Sequence, residues 1–421
     1  MKSKLTVLMV TAFIDMVGLL MLMPILPFYA KEMGGGGFIV GLLVSSFAVA
    51  QLISAPMWGR FSDRHGRRPA LLIGLTASAI AYVIFAFSTS LWLLFLSRLV
   101  QGAGGGTVGV IQAYVADTLE PDQRARGLGW LSAATNAGVA LGPVLGSAAS
   151  GIGRAAPGLF AAALCLINII FAAKYLDESR DMTDAKARKP APGRTHAAVR
   201  HVLASSGEPA SRLIWIYAIA MGAFSGVTAL LTLFMAARFD LTPKTIGFVF
   251  MYLGIISVLT RAIVLGPAVD RFGEARLSRF GSALLALGIA LLPFTRKLAD
   301  PAAFIAHHPM IPVHLLGLIP YLPLAIPIAL IPLGTAFTFP CVTSMLSRVV
   351  PAHERGLYMG VQQTFGGTAR VIFPIALGLA FDWVIAVPFL ISATLVAATI
   401  LLGVGLERTM KMPATAPTAE L

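Results

Sequence analysis

The chain has 421 residues, of which 57% are hydrophobic and 12% charged, against about a quarter charged in ordinary soluble domains. Apolar stretches of roughly twenty residues recur along it, each long enough to cross about 30 Å of hydrocarbon as a helix, which excludes a soluble globular class. The formal charge of +13 invites a nucleic-acid reading, but the distribution of charge excludes it.

In chain order the apolar runs predict twelve spans, at 5–29, 38–58, 70–88, 91–115, 127–150, 156–176, 212–235, 246–269, 276–294, 322–347, 355–381 and 384–406. The first run is too long for the core of a cleavable signal, and no small-residue cleavage site follows it. With the N-terminus inside, 23 of the 32 Lys and Arg fall in cytoplasmic segments, 6 in external loops and 3 within spans. This is the positive-inside asymmetry, and it predicts that both termini are cytoplasmic. Region 295–321, with His307, His308, His314 and several prolines, reads as an external loop with room for a re-entrant apolar piece. Cys165 and Cys341 both lie in apolar runs, so neither a disulfide framework nor a metal cluster is expected.

The one long polar interval, 177–211, divides the spans six and six and reads as a flexible cytoplasmic linker. The expected organisation is a bundle over 1–176, the linker 177–211, a second bundle over 212–406 and a tail over 407–421. The halves echo each other. Gly59, Asp63-Arg64 and Gly66 after the second span recur as Gly266, Asp270-Arg271 and Gly273 after the eighth, at a constant offset of 207. EPDQRARG after the fourth span is matched by VPAHERG after the tenth, and LGPVLG in the fifth by IFPIALG in the eleventh. The expected fold is therefore an all-α membrane protein of twelve helices in two pseudo-symmetric six-helix bundles, with a site near mid-bilayer between them.

The loop GRFSDRHGRRP (59–69) packs five charges between two spans. Gly59 would permit close helix approach, and Gly66 a turn with positive φ. Asp63 is placed to accept from a helix N-terminus or an arginine. Arg64, Arg67 and Arg68 can reach the loop after the fourth span, which holds Asp117 and Arg124. Together these read as a cytoplasmic gate.

GRFSDRHGRRP resembles the cytoplasmic loop signature of the major facilitator superfamily. LSRLVQGAGGG (96–106) resembles that family's fourth-span element, and NAGVALGPVLG (136–146) its antiporter element in the fifth span. FIDMVGLLMLMPILPFY (13–29) is similar to the first span of tetracycline/proton antiporters. The resemblance implies a twelve-span drug:proton antiporter that works as a monomer in a bacterial inner membrane by alternating access, with no cofactor. It also implies that Arg98 handles protons or substrate. The third, eighth and ninth spans lack the further ionisable groups of the tetracycline carriers, which leaves tetracycline itself open as the substrate.

A charge at the centre of an inserted helix costs about 2.5–3.5 kcal/mol on insertion scales, so each one is a functional candidate. Asp15 is the carboxylate deepest in a span. Burial favours its neutral form and a neighbouring arginine its ionised form, so Asp15 and Arg98 are expected to pair and to couple protons. Arg261 and Arg370, at middle depth in the second half, suit an anionic or electron-rich group on an amphipathic substrate. Gln101, Asn136, Met23, Phe28, Phe224, Phe234, Tyr252 and Phe365 are further candidates for lining the substrate cavity. Gly138, Gly142 and Gly146 form a small-residue face around Pro143, which reads as a hinge or packing surface. The expected partners are a small-molecule substrate, protons and the lipid bilayer, without nucleic acid. The alternative within transport is a carrier that takes up an organic anion, lipid or metabolite through Arg261 and Arg370.

Overall fold

The computed structural model describes residues 2–179, 194–298 and 319–407. The three histidines of 295–321 and nearly all of the tail lie outside these residues. Every described element is helical. The helices are α1 (Lys2–Leu22), α2 (Leu26–Glu32), α3 (Gly37–His65), α4 (Arg67–Ala86), α5 (Leu91–Gly104), α6 (Thr107–Thr118), α7 (Pro121–Ser150) and α8 (Ala156–Tyr175). After the polar interval come α9 (Arg194–Ala204), α10 (Pro209–Phe239), α11 (Ile246–Leu259), α12 (Leu265–Phe272), α13 (Glu274–Leu291), α14 (Leu322–Val349), α15 (Arg355–Trp383) and α16 (Val387–Gly403).

Among the described residues, eleven helical segments are long and apolar enough to cross a membrane. The twelfth, α16, has 17 residues, at the lower end of a spanning length. The chain is thus a multi-pass membrane protein with the expected order of spans. Three spans are interrupted. α1 and α2 form one span broken before Pro27, and α5 and α6 form another broken at Gly105–Gly106. In the eighth span, α11 passes into α12 through a five-residue π-helical turn, Thr260–Val264. Proline opens several helices at their first or second position, where its missing N–H costs no bond. The matched glycines Gly66 and Gly273 both take positive φ, +99° and +76°, between successive helices. Their shared backbone geometry extends the sequence repeat into three dimensions.

By proximity the chain groups into two units. The first comprises Met1–Lys189, Gly226–Val258 and Arg370–Ile385; the second comprises Pro190–Ser225, Leu259–Ala369 and Ala386–Leu421. Within the first, α1 packs on α7 and α8, and α4 on α5 and α8. Gly138, Gly142 and Gly146 follow one face of α7 and meet α1 at Phe13–Met16, Val17–Leu20 and Met21. On the same helix, Ser147 Oγ accepts from the Gly247 N–H at 2.8 Å, so α11 also packs against α7. A further seam joins α3 to α15. Gly37 and Gly41 lie against the backbone at Gly378 and Pro374, and Ser45 Oγ donates to the Val371 carbonyl at 2.6 Å. Asp382 closes that seam by accepting from the N–H groups of Gly37 (2.5 Å) and Phe38 (2.8 Å), which caps α3. Gly59, expected to allow close approach, has no atom near its missing side chain; the close approach at this end of α3 is made by its neighbour Trp58, which lies against Gly106.

Within the second unit, α13 packs on α14 and α16. The interval read as a flexible linker contains α9, whose Ala198 and Val202 are buried in a core with Leu213, Val342, Leu346 and Leu406.

A methyl group at Gly146 would lie 2.9 Å from the Met21 carbonyl carbon and 3.0 Å from its Cα, whereas one at Gly129 meets nothing. Overpacking of this kind costs about 1–3 kcal/mol, while Gly→Ala in an open helix position gains roughly 0.5–1 kcal/mol. Thermal unfolding of the purified protein should therefore show Gly146→Ala melting lower than wild type, and Gly129→Ala melting at the same temperature or higher.

Candidate functional site

α1 carries Asp15 into the interior of the first unit, where the residue is 7% exposed. Its Oδ2 accepts a hydrogen bond from Thr107 Oγ1 at 2.9 Å. Thr107 is the first residue of α6, immediately after the break at Gly105–Gly106. The glycine run therefore has a positional consequence, since it restarts the helix with a hydroxyl facing the carboxylate. The cavity beside Asp15 is lined by Met16, Leu19, Phe47, Gln51, Ser78, Tyr82, Gln101, Gly105 and Val108 as well as Thr107. One turn beyond Asp15, Gly18 leaves room for Tyr82, whose ring and hydroxyl would lie 3.2–3.3 Å from an added Cβ. The Gln101 amide faces the Tyr82 hydroxyl without a well-formed hydrogen bond.

Arg98 is 1% exposed, yet no ion pair joins it to Asp15. Its Nε and Nη2 have no hydrogen-bond partner among the described residues. The guanidinium lies over the Phe85 ring, 5.5 Å from the centroid. The expected Asp15–Arg98 bridge is thus replaced by two separate arrangements, hydroxyl to carboxylate and ring to guanidinium. Tyr82 lies within electrostatic range of both charged groups. Thr107, Tyr82 and Phe85 gave no signal in the sequence, because each is an ordinary residue of an apolar run.

The basic loop forms a second constellation. Arg67, 8% exposed, binds Asp63 Oδ1 through Nη1 at 2.9 Å and Asp117 Oδ2 through Nε at 2.8 Å, and also donates to Ser62 Oγ at 2.8 Å. Glu178 accepts from the backbone N–H groups of Arg67 (2.8 Å) and Arg68 (3.0 Å), capping α4. Arg68 Nη2 donates to the Ala173 carbonyl at 2.5 Å, and Arg124 Nε to the Leu119 carbonyl at 3.0 Å. Arg64 is exposed. Glu178 was not picked out from the sequence, although an equivalent stands after the last helix of the second half. There Glu407 pairs with Arg276 at 3.6 Å and with Arg279, both on α13. Each half therefore uses a carboxylate after its sixth helix to hold the start of its third.

In the second unit, Arg261 occupies the π-helical turn, and its buried Nε has no hydrogen-bond partner among the described residues. Such turns recur at functional sites because they displace a side chain from the regular helical register. Tyr217 lies within electrostatic range of Arg261, and its hydroxyl accepts from Gln363 Nε2 at 3.4 Å. Around Tyr217 an aromatic cluster joins Phe339 (5.4 Å), which also meets Phe224 (6.4 Å). Phe365 packs edge-on to Trp215 at 5.3 Å. Of the other expected lining residues, Gln101 is in the Asp15 cavity, while Phe28 and Phe234 are packed in the core. Asn136 bonds back to the Ser132 carbonyl at 2.8 Å within its own helix. Met23 lies in the turn between α1 and α2, Tyr252 is 38% exposed on α11, and Arg370 is part-buried on α15.

This combination of interrupted spans, a charged loop echoed between halves and ionisable groups inside the membrane defines a transporter. Over residues 8–318 the chain matches the Major Facilitator Superfamily, and it belongs to that family. It is 34% identical over 303 residues to a class C tetracycline resistance protein of Escherichia coli, covering 70% of this chain and 76% of the relative. It is 27% identical to the class B protein of the same species, covering 96% and 97%. Multidrug resistance protein 2 of Bacillus subtilis is 25% identical, covering 97% and 96%. Among solved structures, the nucleoside transporter NupG shares the fold at a TM-score of 0.74 and 15% identity, covering 98% of this chain and 100% of that one.

Removing a helix cap costs about 0.5–2 kcal/mol. Glu178→Ala should therefore lower the melting temperature of the purified protein. Glu178→Gln, whose amide oxygen can accept only part of what the carboxylate does, should fall between it and wild type.

Proposed function

We propose that the protein is a secondary active antiporter that exports a small amphipathic compound from the cytoplasm in exchange for protons, in a bacterial inner membrane. The observation that carries this reading is Asp15. It is a carboxylate buried in a span, lining a cavity, with a hydroxyl donor and no cation bound to it among the described residues. A charge so placed is costly, and a proton removes the cost, so the group suits a carrier that is loaded on one side and emptied on the other. Tetracycline and multidrug resistance proteins among the relatives support an amphipathic drug-like substrate. Asp15 takes a proton from the outside and gives it up inside, Arg98 adjusts the local charge balance, and Arg261 with the aromatic residues near Tyr217 receives the substrate. The cluster of Asp63, Arg67 and Asp117 acts as the cytoplasmic gate, and the Gly142–Pro143–Gly146 face of α7 as a packing surface on which helices shift. The chain acts as a monomer in this reading.

A second reading, transport of an organic anion, is favoured specifically by Arg261. A part-buried guanidinium whose buried Nε is unengaged can receive a carboxylate or phosphate.

Proteoliposomes with an imposed proton gradient separate these readings. Gradient-driven movement of tetracycline or ethidium is expected in wild type and should be lost in Asp15→Asn, which retains counterflow without a gradient. Undiminished gradient-driven transport in Asp15→Asn would remove the coupling role. Arg261→Gln should weaken transport of anionic test compounds about tenfold or more and leave uncharged ones unchanged. Equal effects on both would remove the anion reading.

A further inference from the structure

A guanidinium buried in the membrane is ordinarily neutralised by a carboxylate. Arg98 is not, and what it faces is a stack of rings. Its Cζ lies 5.5 Å from the centroid of Phe85, which is fully buried. Phe85 is stacked on Tyr29 with centroids 5.0 Å apart and planes 17° from parallel. Beyond Tyr29 lies a second guanidinium, that of Arg154, 4.9 Å from the Tyr29 centroid. The order is Arg154, Tyr29, Phe85, Arg98, two cations bracketing two rings. The Arg154 end is held in place. Arg154 Nε donates to Glu32 at 3.2 Å, its Nη1 donates to the Ser88 carbonyl at 2.8 Å, and the Tyr29 hydroxyl donates to the Arg154 carbonyl.

We propose that Phe85 is the electrostatic partner of Arg98, and that Tyr29, anchored by Arg154, holds the Phe85 ring in position for it. This rests on the reading of Arg98 as part of the coupling machinery. The chemistry differs from that of an ion pair in one respect. A carboxylate would neutralise the guanidinium and consume its N–H donors. A ring face attracts the cation through its quadrupole and accepts no conventional hydrogen bond. Arg98 thereby stays charged and fixed in place with Nε and Nη2 uncommitted, as they are here. Phe85, Tyr29 and Arg154 are positioning residues in this arrangement. None of them carries a proton or touches a substrate in the proposal.

Progressive fluorination of Phe85 tests it, because fluorine withdraws the ring's negative face while nearly preserving its shape. Mono-, di- and trifluorophenylalanine would be introduced at position 85 of the full chain, with thermal unfolding measured in detergent. The melting temperature is expected to fall stepwise, by a few degrees over the series, in wild type and in Arg98→Lys. It should stay flat or rise in Arg98→Gln. The sign alone is diagnostic. Against electron-rich Tyr29 an electron-poor ring stacks better, so stacking predicts a rise where the guanidinium contact predicts a fall. A flat or rising series in wild type, or an equal fall in Arg98→Gln, would overturn the proposal. Tyr29→Leu should reduce the wild-type slope by half or more, and an unchanged slope would overturn the role given to Tyr29 and its anchor. Tetracycline transport by the same variants should show an altered pH profile. If wild type shows no gradient-driven movement of tetracycline or ethidium the export reading fails, while the unfolding series still decides this proposal.

Discussion

Asp15 and Arg98 are both almost fully removed from solvent in one helical unit, and neither is bound to the other. In water this would have little consequence. Inside a membrane an unpaired charge costs several kcal/mol, and the surroundings must either neutralise it or supply substitute contacts. The structure supplies a hydroxyl to the carboxylate and an aromatic face to the guanidinium. Much of the local architecture serves those two contacts. The break at Gly105–Gly106 restarts a helix at Thr107, Gly18 leaves room for Tyr82 within electrostatic range of both charges, and the Arg154 anchor holds the stack that Arg98 faces.

For the proposed antiport, keeping opposite charges apart within one unit is useful. A locked Asp15–Arg98 bridge would resist protonation and hold the site in one state. Two charges with separate, weaker partners can respond to a proton or to a substrate group without first breaking a buried ion pair, whose disruption by loss of one partner costs about 3–5 kcal/mol. The basic loop is built on the opposite principle. Arg67 engages two carboxylates and a hydroxyl, and Glu178 ties down the adjacent helix start. A dense ion-pair cluster suits a latch, and an unpaired charge suits a carrier.

The helices, their order and the family were legible in the sequence, because long apolar runs and the loop GRFSDRHGRRP are local signals. The carboxylate and arginines were legible because charge within an apolar run stands out. Their partners were not. Thr107 is 92 positions from Asp15, and Tyr82 and Phe85 look like any other aromatic in a span. The π-helical turn at Arg261 leaves no mark in the periodicity of a continuous apolar run. The helix α9 was hidden for a different reason. Its buried stripe among the described residues is Ala198 and Val202, with Val199 part-buried beside them, too small to register in a polar interval.

The proposed coupling depends most on Asp15 being the group that binds and releases a proton. Infrared difference spectroscopy of the protein in lipid bilayers, stepped in pH, detects the stretching band of a protonated carboxyl group directly and needs no substrate. The prediction is a protonation band in wild type that disappears in Asp15→Asn and persists in Asp63→Asn. A band that survives unchanged in Asp15→Asn would contradict it and assign the proton to another group.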